Sequence, residues 1–510
     1  MDEMLKRVLN ARVTEVLPAP TPLQDAPGLS QRLGVPVLLK REDLTPVFSF
    51  KLRGAYNRIA LLGEAELARG IIAASAGNHA QGVAFACRRR GARCRIVMPR
   101  TTPDIKVAAV QSYGAEIDLV GDNYSDAAAH AAELVRSTGM TMIPPFDDLD
   151  VIAGQGTVGL EILRQAPREL GAILVPVGGG GLISGVAAVI KELRPEVQVI
   201  GVQPEDSSAM ALSLERGQRV SLEHVGIFAD GVAVRQVGEH TLRFCQRYVD
   251  SIIRVTQDEI CAAIQDAFHE TRTLLEPAGA LSIAGLKRLL ADPGQQRSER
   301  AHVAIASGAN ISLSRLGYIA ERAEVGEDRE ALFAVTIPEQ PGSFLAFCAT
   351  LGRRSVTEFN YRLSSRTEAH VFIGVRVEGA RGAREVEAAL VAAGYTASDL
   401  THDELAKTHV RHMVGGLGHG AQNEVLYTFE FPERPGALLQ FLTALGGRWN
   451  ISLFHYRNHG TGFGRVLCGF EVPPPERAEF AAALEQLGFE HQAVGDSPVT
   501  RFLMGGGGRG

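Results

Sequence analysis

Val175-Pro176-Val177-Gly178-Gly179-Gly180-Gly181-Leu182 joins two apolar runs through four consecutive glycines. The run before them, from Ile173 to Val177, is short and β-branched and reads as a strand; the run after them reads as an apolar helix. Four glycines in a row forfeit backbone entropy and contribute nothing to packing. What they offer instead is a turn of exposed N–H groups at the positive end of a helix, a cradle for a phosphate. No Lys-Ser or Lys-Thr pair follows, and the spacing is not Gly-x-Gly-x-x-Gly, so the phosphate points to a small cofactor rather than a nucleotide.

Outward from this turn, strands and helices alternate through the first 310 residues. Strands are expected at Ile71–Ala74, Arg95–Met98, Ile117–Val120, Thr141–Ile143, Val197–Val202 and Val303–Ala306. Helices are expected at Asn78–Arg90, about Asp104–Tyr113, Ser125–Ser137 and Val151–Gln165. Near-continuous apolar strands alternating with helices imply parallel sheets covered on both faces. The expectation is an α/β catalytic domain in two lobes, over residues 1–325.

The pattern changes after Glu330. Pro338, Glu339, Pro341, Gly342, Phe347, Leu351 and Gly352 recur 94 positions later as Pro432, Glu433, Pro435, Gly436, Phe441, Leu445 and Gly446. Beyond Gly446 the offset is 95, which pairs Phe359 with Phe454 and Tyr361 with Tyr456. Each copy reads β-α-β-β-α-β, the ferredoxin-like order. Two small sensor-like domains are expected at 331–403 and 425–496, joined by a linker at 404–424.

Composition narrows the class. Hydrophobic residues make up 45% and charged residues 22%, the balance of a soluble globular protein. The net charge of −6, with no basic block longer than Arg88-Arg89-Arg90, leaves no footprint for nucleic acid. Six scattered cysteines include no Cys-x-x-Cys pair, so neither a metal site nor a disulfide scaffold is expected. The charged N-terminal stretch and the lack of a long apolar run argue against a signal peptide and a membrane span. A cytoplasmic location follows as the expectation.

Three further segments carry candidate chemistry. In Ser49-Phe50-Lys51-Leu52-Arg53-Gly54-Ala55, Lys51 follows apolar residues and opens a helix. The macrodipole and desolvation both favour its neutral form, which imine formation requires. In Ser75-Ala76-Gly77-Asn78-His79-Ala80-Gln81-Gly82, small residues precede a helix whose first amides suit a carboxylate, and Ser75 or Asn78 is a candidate cap. Ser307 ends the strand before Gly308-Ala309-Asn310, at the edge where α/β proteins place ligands, and can face a heteroaromatic nitrogen.

SFKLRGA, SAGNHAQG, VGGGGLISG, EPAGAL (Glu276–Leu281) and SGAN occur in this order. The set resembles the pyridoxal-phosphate-dependent β-eliminases of the tryptophan-synthase-like fold (fold type II). With GVQPEDS, FADGVAV and the doubled C-terminal unit, the chain resembles the threonine ammonia-lyase (threonine dehydratase) family from about Val13 to Leu503. The resemblance implies that Lys51 binds the cofactor covalently, Asn78 contacts its ring hydroxyl, Gly178, Gly179, Gly180, Gly181 and Leu182 hold its phosphate, and Ser307 faces its pyridine nitrogen. It also implies that Ser75, Ala76, Gly77, His79 and Gln81 hold the substrate L-threonine. The C-terminal units resemble ACT domains, which bind amino acids. Isoleucine is the effector that the resemblance implies, valine is a second candidate, and a homotetramer is the expected assembly.

Tyr361 and Tyr456, at equivalent repeat positions, are candidate walls of the effector pocket. Ala278 stands where the family usually has serine, and Gln203 where metal-dependent relatives carry glutamate, so no metal is expected. Two other readings remain: a serine-preferring ammonia-lyase or racemase of the same fold, and a non-catalytic amino-acid sensor. The intact Lys51, Asn78, glycine turn and Ser307 argue against the second.

Overall fold

The structure is a computed structural model that describes residues 2–503 except 168, 292–298, 339–342, 353, 355, 363–366, 413–422, 433–448 and 458–462. The chain forms two compact units, Met1–Ile319 and Ala320–Gly510.

The first unit holds two sheets. A six-stranded sheet runs in the order Leu23–Asp25, Val37–Arg41, Ala301–Ala306, Leu170–Pro176, Gln198–Pro204, Ser251–Val255. All its neighbours are parallel except the first pair. A four-stranded parallel sheet runs Glu116–Leu119, Cys94–Met98, Ile71–Ala74, Thr141–Met142. Each sheet has its own core, which accounts for two lobes. In the smaller sheet Ile71 and Ala73 face one apolar cluster while Ile72 and Ala74 face another. The alternation of side chains across a strand therefore buries both faces, as helices on either side of a parallel sheet require.

Three strands were not anticipated. Leu23–Asp25 is an antiparallel edge, Ser251–Val255 is only partly buried, and Val37–Arg41 is fully buried although it ends in Lys40 and Arg41. Arg41 pairs locally with Asp43 at 2.7 Å, whereas Lys40 is neutralised from a distance. The Lys40 amine donates to Glu161 at 2.6 Å and to the Thr21 carbonyl at 2.7 Å. Arg53, with no exposed surface, donates to Glu42 at 2.7 Å and to Glu161 at 2.7 Å. A buried ion network of this kind holds only while every member is present. It anchors the helix Lys51–Ala60 at its third residue.

The second unit contains two four-stranded antiparallel sheets with one topology. The first runs Val356–Arg362, Glu368–Arg376, Glu330–Pro338, Thr396–Asp399; the second runs Asn450–Arg457, Phe463–Glu471, Glu424–Pro432, Glu490–Ala493. Helices Ser343–Leu351 and Gly379–Ala392 complete the first β-α-β-β-α-β unit. In the second, helix Arg477–Gln486 is seen, while the stretch read as the other helix falls within 433–448, outside the described residues. Alternate residues of each central strand face the repeat's own core, such as Phe333 and Val335 or Phe429. The opposite faces meet in a third core built from Leu332, Ala334 and Phe372 of one repeat with Leu426 and Leu467 of the other. Each repeat thus covers the sheet face that the other leaves bare, a physical reason for the doubling. The segment read as a linker opens with helix Glu404–Thr408, and Ala406 and Val410 enter this shared core. Among the described residues no helix is long and apolar enough to cross a membrane.

Candidate active site

Three strand ends supply the candidate site: Ile71–Ala74 leads to Ser75–Asn78, Leu170–Pro176 to the glycine turn, and Ala301–Ala306 to Ser307. All are carboxyl ends, where open α/β sheets bind ligands.

Lys51 is the first residue of its helix, as the sequence reading expected. The segment before it is stitched to the third strand end, with Phe50 N–H donating to Ser307 O at 3.1 Å and Ser49 bridging Gly308. Phe48 sits at φ 56°, a left-handed conformation that costs a non-glycine residue of order 1 kcal/mol or more. Behind Lys51, a Cβ on Gly82 would lie 3.2 Å from the Lys51 backbone, so glycine there lets the two helices approach. The Lys51 amine is partly buried and donates to the Pro145 carbonyl at 2.8 Å. Burial lowers its pKa to about 8, against the opposing charge of Glu276. A sizeable neutral fraction near pH 7 to 8 is the consequence.

Asn78 is already helical, and Gly77 is the N-cap residue with no side-chain cap. The expected capping by Ser75 or Asn78 is therefore corrected. Ser75 Oγ instead accepts from Gly77 N–H at 3.3 Å, and tertiary partners claim the Asn78 amide. Its Nδ2 donates to Glu276 at 2.5 Å, and its Oδ1 accepts from Asn310 at 2.7 Å. Ser75 to Asn78 are partly exposed, and a Cβ on Gly77 would meet nothing within 4 Å. The loop therefore faces open space. His79 and Gln81 are buried behind it, with His79 Nε2 2.9 Å from Ile143 O. Burial and the Lys51 charge push His79 down to about 3, which leaves it neutral.

The glycine turn is shaped by its surroundings. Gly180 has φ 98°, and a Cβ there would lie 2.5 Å from Met210 and 2.9 Å from Thr241. A Cβ on Gly179 would lie 2.3 Å from the Phe146 ring. Thr241 Oγ1 donates to Gly179 O at 2.7 Å, and Asp147 accepts from the amides of Glu239 and His240, each at 2.9 Å. The amides of Gly178, Gly179 and Gly180 find no acceptor among the described residues. Leu182 is buried in the following helix, Gly181–Leu193. Pro145, Phe146 and Asp147 thus tie the Lys51 amine to the glycine turn.

Ser307 is buried, and its hydroxyl donates to Ala278 O at a long 3.3 Å, so it can turn to a better partner. The Glu276 acid is pushed up to about 7 by burial and by Asp230. Asp230 itself pairs with Lys106 and with Arg315, the latter at 3.4 Å. Gln203 has both ends of its amide engaged, by Val177 O, Ser207 O and Ala211 N–H.

Glu276, Asn310, Asp230, Lys106, Arg315 and Pro145–Asp147 were not assigned roles from sequence. Signals existed for three of them, since Glu276, Asn310 and Asp230 lie in EPAGAL, SGAN and FADGVAV. The side chains of Tyr361 and Tyr456 lie outside the described residues. Their backbones occupy equivalent register positions, opposite Val371 and Val466.

Comparison with known proteins agrees with this layout. Residues 15–308 match the family of pyridoxal-phosphate dependent enzymes. Residues 321–410 and 415–504 each match the C-terminal regulatory domain of threonine dehydratase. The biosynthetic L-threonine dehydratase of Burkholderia multivorans is 51% identical, covering 98% of this chain and 99% of its own. Among solved structures, the processed form of threonine deaminase isoform 2 from Solanum lycopersicum is 48% identical with a TM-score of 0.61, covering 63% of this chain and 92% of that one. The serine racemase of Dictyostelium discoideum is 32% identical with a TM-score of 0.56, over 61% of this chain and 99% of that one.

Proposed function

Because this chain belongs to the biosynthetic threonine dehydratases, within the pyridoxal-phosphate dependent enzymes, we propose that it converts L-threonine to 2-oxobutanoate and ammonia under feedback control by isoleucine. The observation that carries the reading is the joint placement of a partly buried, pKa-lowered Lys51 and a glycine turn whose amides meet no acceptor among the described residues, linked through Pro145–Asp147.

Pyridoxal phosphate fits the residues present. When it is bound, Gly178, Gly179, Gly180, Gly181 and Leu182 would hold its phosphate, Lys51 its aldehyde carbon, Asn78 its ring oxygen, and Ser307 its ring nitrogen. The open space in front of Gly77 leaves room for what these groups hold. When bound, the cofactor supplies an electron sink that stabilises negative charge at the substrate's α-carbon.

The chain's own residues position and move protons. The partial exposure of Ser75, Ala76 and Gly77, and the amides at the start of helix Asn78–Arg90, suit them to grip the threonine carboxylate. His79 and Gln81 act from behind, His79 by fixing the loop to Ile143. Holding the carboxylate fixes the direction of the Cα–H bond. Lys51, with its pKa near 8, then takes that proton as a general base. A serine hydroxyl at the ring nitrogen, in place of a carboxylate, moderates the sink and favours prompt loss of the β-hydroxyl.

The regulatory half binds isoleucine, with Tyr361 and Tyr456 lining the effector pocket and valine as a second effector. A cytoplasmic homotetramer belongs to the same proposal. The likeness to a serine racemase keeps a serine-preferring activity as the second reading. Turnover of L-threonine and L-serine, each with and without isoleucine, decides between them. The proposal expects faster turnover of threonine, suppressed by isoleucine; serine preferred, or no response to isoleucine, goes against it.

A further inference from the structure

Glu276 is buried at 4% exposure, and its carboxylate lies in a pocket prepared for it. Its backbone N–H donates to Gly308 O at 3.1 Å, and a Cβ on Gly308 would come within 2.5 Å of Oε1. Glycine at 308 therefore makes room for this acid. A buried carboxyl is costly unless something uses it. The described hydrogen bond to the side chain is the one from Asn78 Nδ2, at 2.5 Å.

Counting hydrogens shows what that bond does. Asn310 Nδ2 has two, spent on Val47 O at 2.9 Å and on Asn78 Oδ1 at 2.7 Å. Asn78 Oδ1 is thereby marked as the acceptor end. Nδ2 also has two hydrogens, of which Glu276 takes one. Reversing the Asn78 amide would set its donor against the Asn310 donor and its oxygen against the Glu276 carboxylate. Two neighbours thus select one orientation before any ligand arrives, and one N–H is left over.

We propose that Glu276 is a positioning residue: together with Asn310 it fixes the Asn78 amide so that its remaining N–H is presented to the cofactor's ring oxygen. This rests on the reading above, in which Asn78 faces that oxygen. Glu276 touches neither substrate nor cofactor in this role. The charged groups that act on it are Asp230, Lys106 and Arg315, and it acts in turn on Lys51. The neutral acid can donate as well as accept, so the orientation is held most firmly when the carboxylate is ionised.

The test titrates cofactor-free full-length protein with pyridoxal 5′-phosphate, following visible absorbance and the circular dichroism induced in the bound cofactor. The parent, E276A, E276Q and N310A are compared, with far-ultraviolet dichroism as the check on folding. E276A and N310A are expected to raise Kd about tenfold and to alter the induced band, the effect of losing one specifying bond. E276Q is expected to stay within about threefold of the parent, because its amide oxygen accepts the same bond. The proposal is overturned if folded E276A binds as tightly as the parent with the same induced band. It is overturned equally if E276Q is as defective as E276A, which would mean that shape or charge rather than the accepted bond matters. Should E276A fail to fold, E276Q and N310A still decide it: parent-like binding by N310A, or tenfold weaker binding by E276Q, overturns it. Failure of the parent itself to take up cofactor would instead remove the functional reading.

Discussion

The candidate site and the second unit of this chain treat charge in different ways. At the candidate site burial lowers Lys51 to about 8 and raises Glu276 to about 7. Among the described residues of 320–510, buried arginines pair with acids and tie elements together. Arg411 donates to Glu330 at 2.8 Å, and Arg322 pairs with Glu404. Glu404, half-exposed itself, falls to about 2 because the charges of Arg322 and Lys407 outweigh its loss of solvation. Displacement toward the working pH prepares a group to exchange a proton; displacement away from it locks a group in one charge state. The same physics thus prepares groups for chemistry at the candidate site and gives cohesion in the second unit, as it does in the Lys40–Glu161–Arg53 network of the first.

The sharpest way to break this contrast is Lys51→Ala. Removing the amine proposed to exchange the proton is expected to lower threonine turnover by roughly a thousandfold or more and to abolish the visible band of the bound cofactor. Steady-state kinetics and an absorbance scan check both. An Arg322→Ala variant, which disturbs only the locking kind of charge, should leave the uninhibited rate within about threefold while lowering the melting temperature.

Separating the units sharpens the contrast further. Residues 1–319 expressed alone should turn over threonine but ignore isoleucine, losing a response of about 5–150-fold. An isoleucine-sensitive truncation would place the effector site in the catalytic unit.

Gly180→Ala comes next in size. The left-handed backbone and the contacts with Met210 and Thr241 make any side chain there a strain of about 1–3 kcal/mol, expected as a weaker cofactor Kd at unchanged overall fold. Titration with the cofactor reads it directly.

The smallest expected effect concerns pH. Glu276 is raised from 4.5 to about 7, so the folded protein holds its proton more tightly than the unfolded chain. That contribution is fully present below pH 4.5 and is lost as pH rises toward 7. The amide introduced by Glu276→Gln has no proton to lose. The melting temperature of the cofactor-free variant relative to the parent should therefore climb by a few degrees between pH 4.5 and 7.5. A flat difference would mean that Glu276 is not held protonated.

Much of this could be read before any coordinates. Helix Asn78–Arg90 has the expected bounds, and the spacing of Pro338 and Pro432 marks two sheets of one topology. Both signals are local or repeated in register along the chain. Val37–Arg41 was missed because Lys40 and Arg41 resemble a solvated end, and Glu161, which neutralises Lys40, lies 121 residues from it. The cap at Asn78 was misjudged for a related reason: Glu276, 198 residues away, takes the side chain that local rules assign to the helix start. Pairing between distant residues leaves no periodic trace.

The most direct test of the account is where the cofactor becomes attached. Borohydride reduction of the pyridoxal-phosphate-loaded protein, followed by digestion and mass spectrometry, should find the cofactor on the peptide containing Lys51. Attachment at another lysine, such as Lys40 or Lys106, or no attachment to the protein at all, would contradict it.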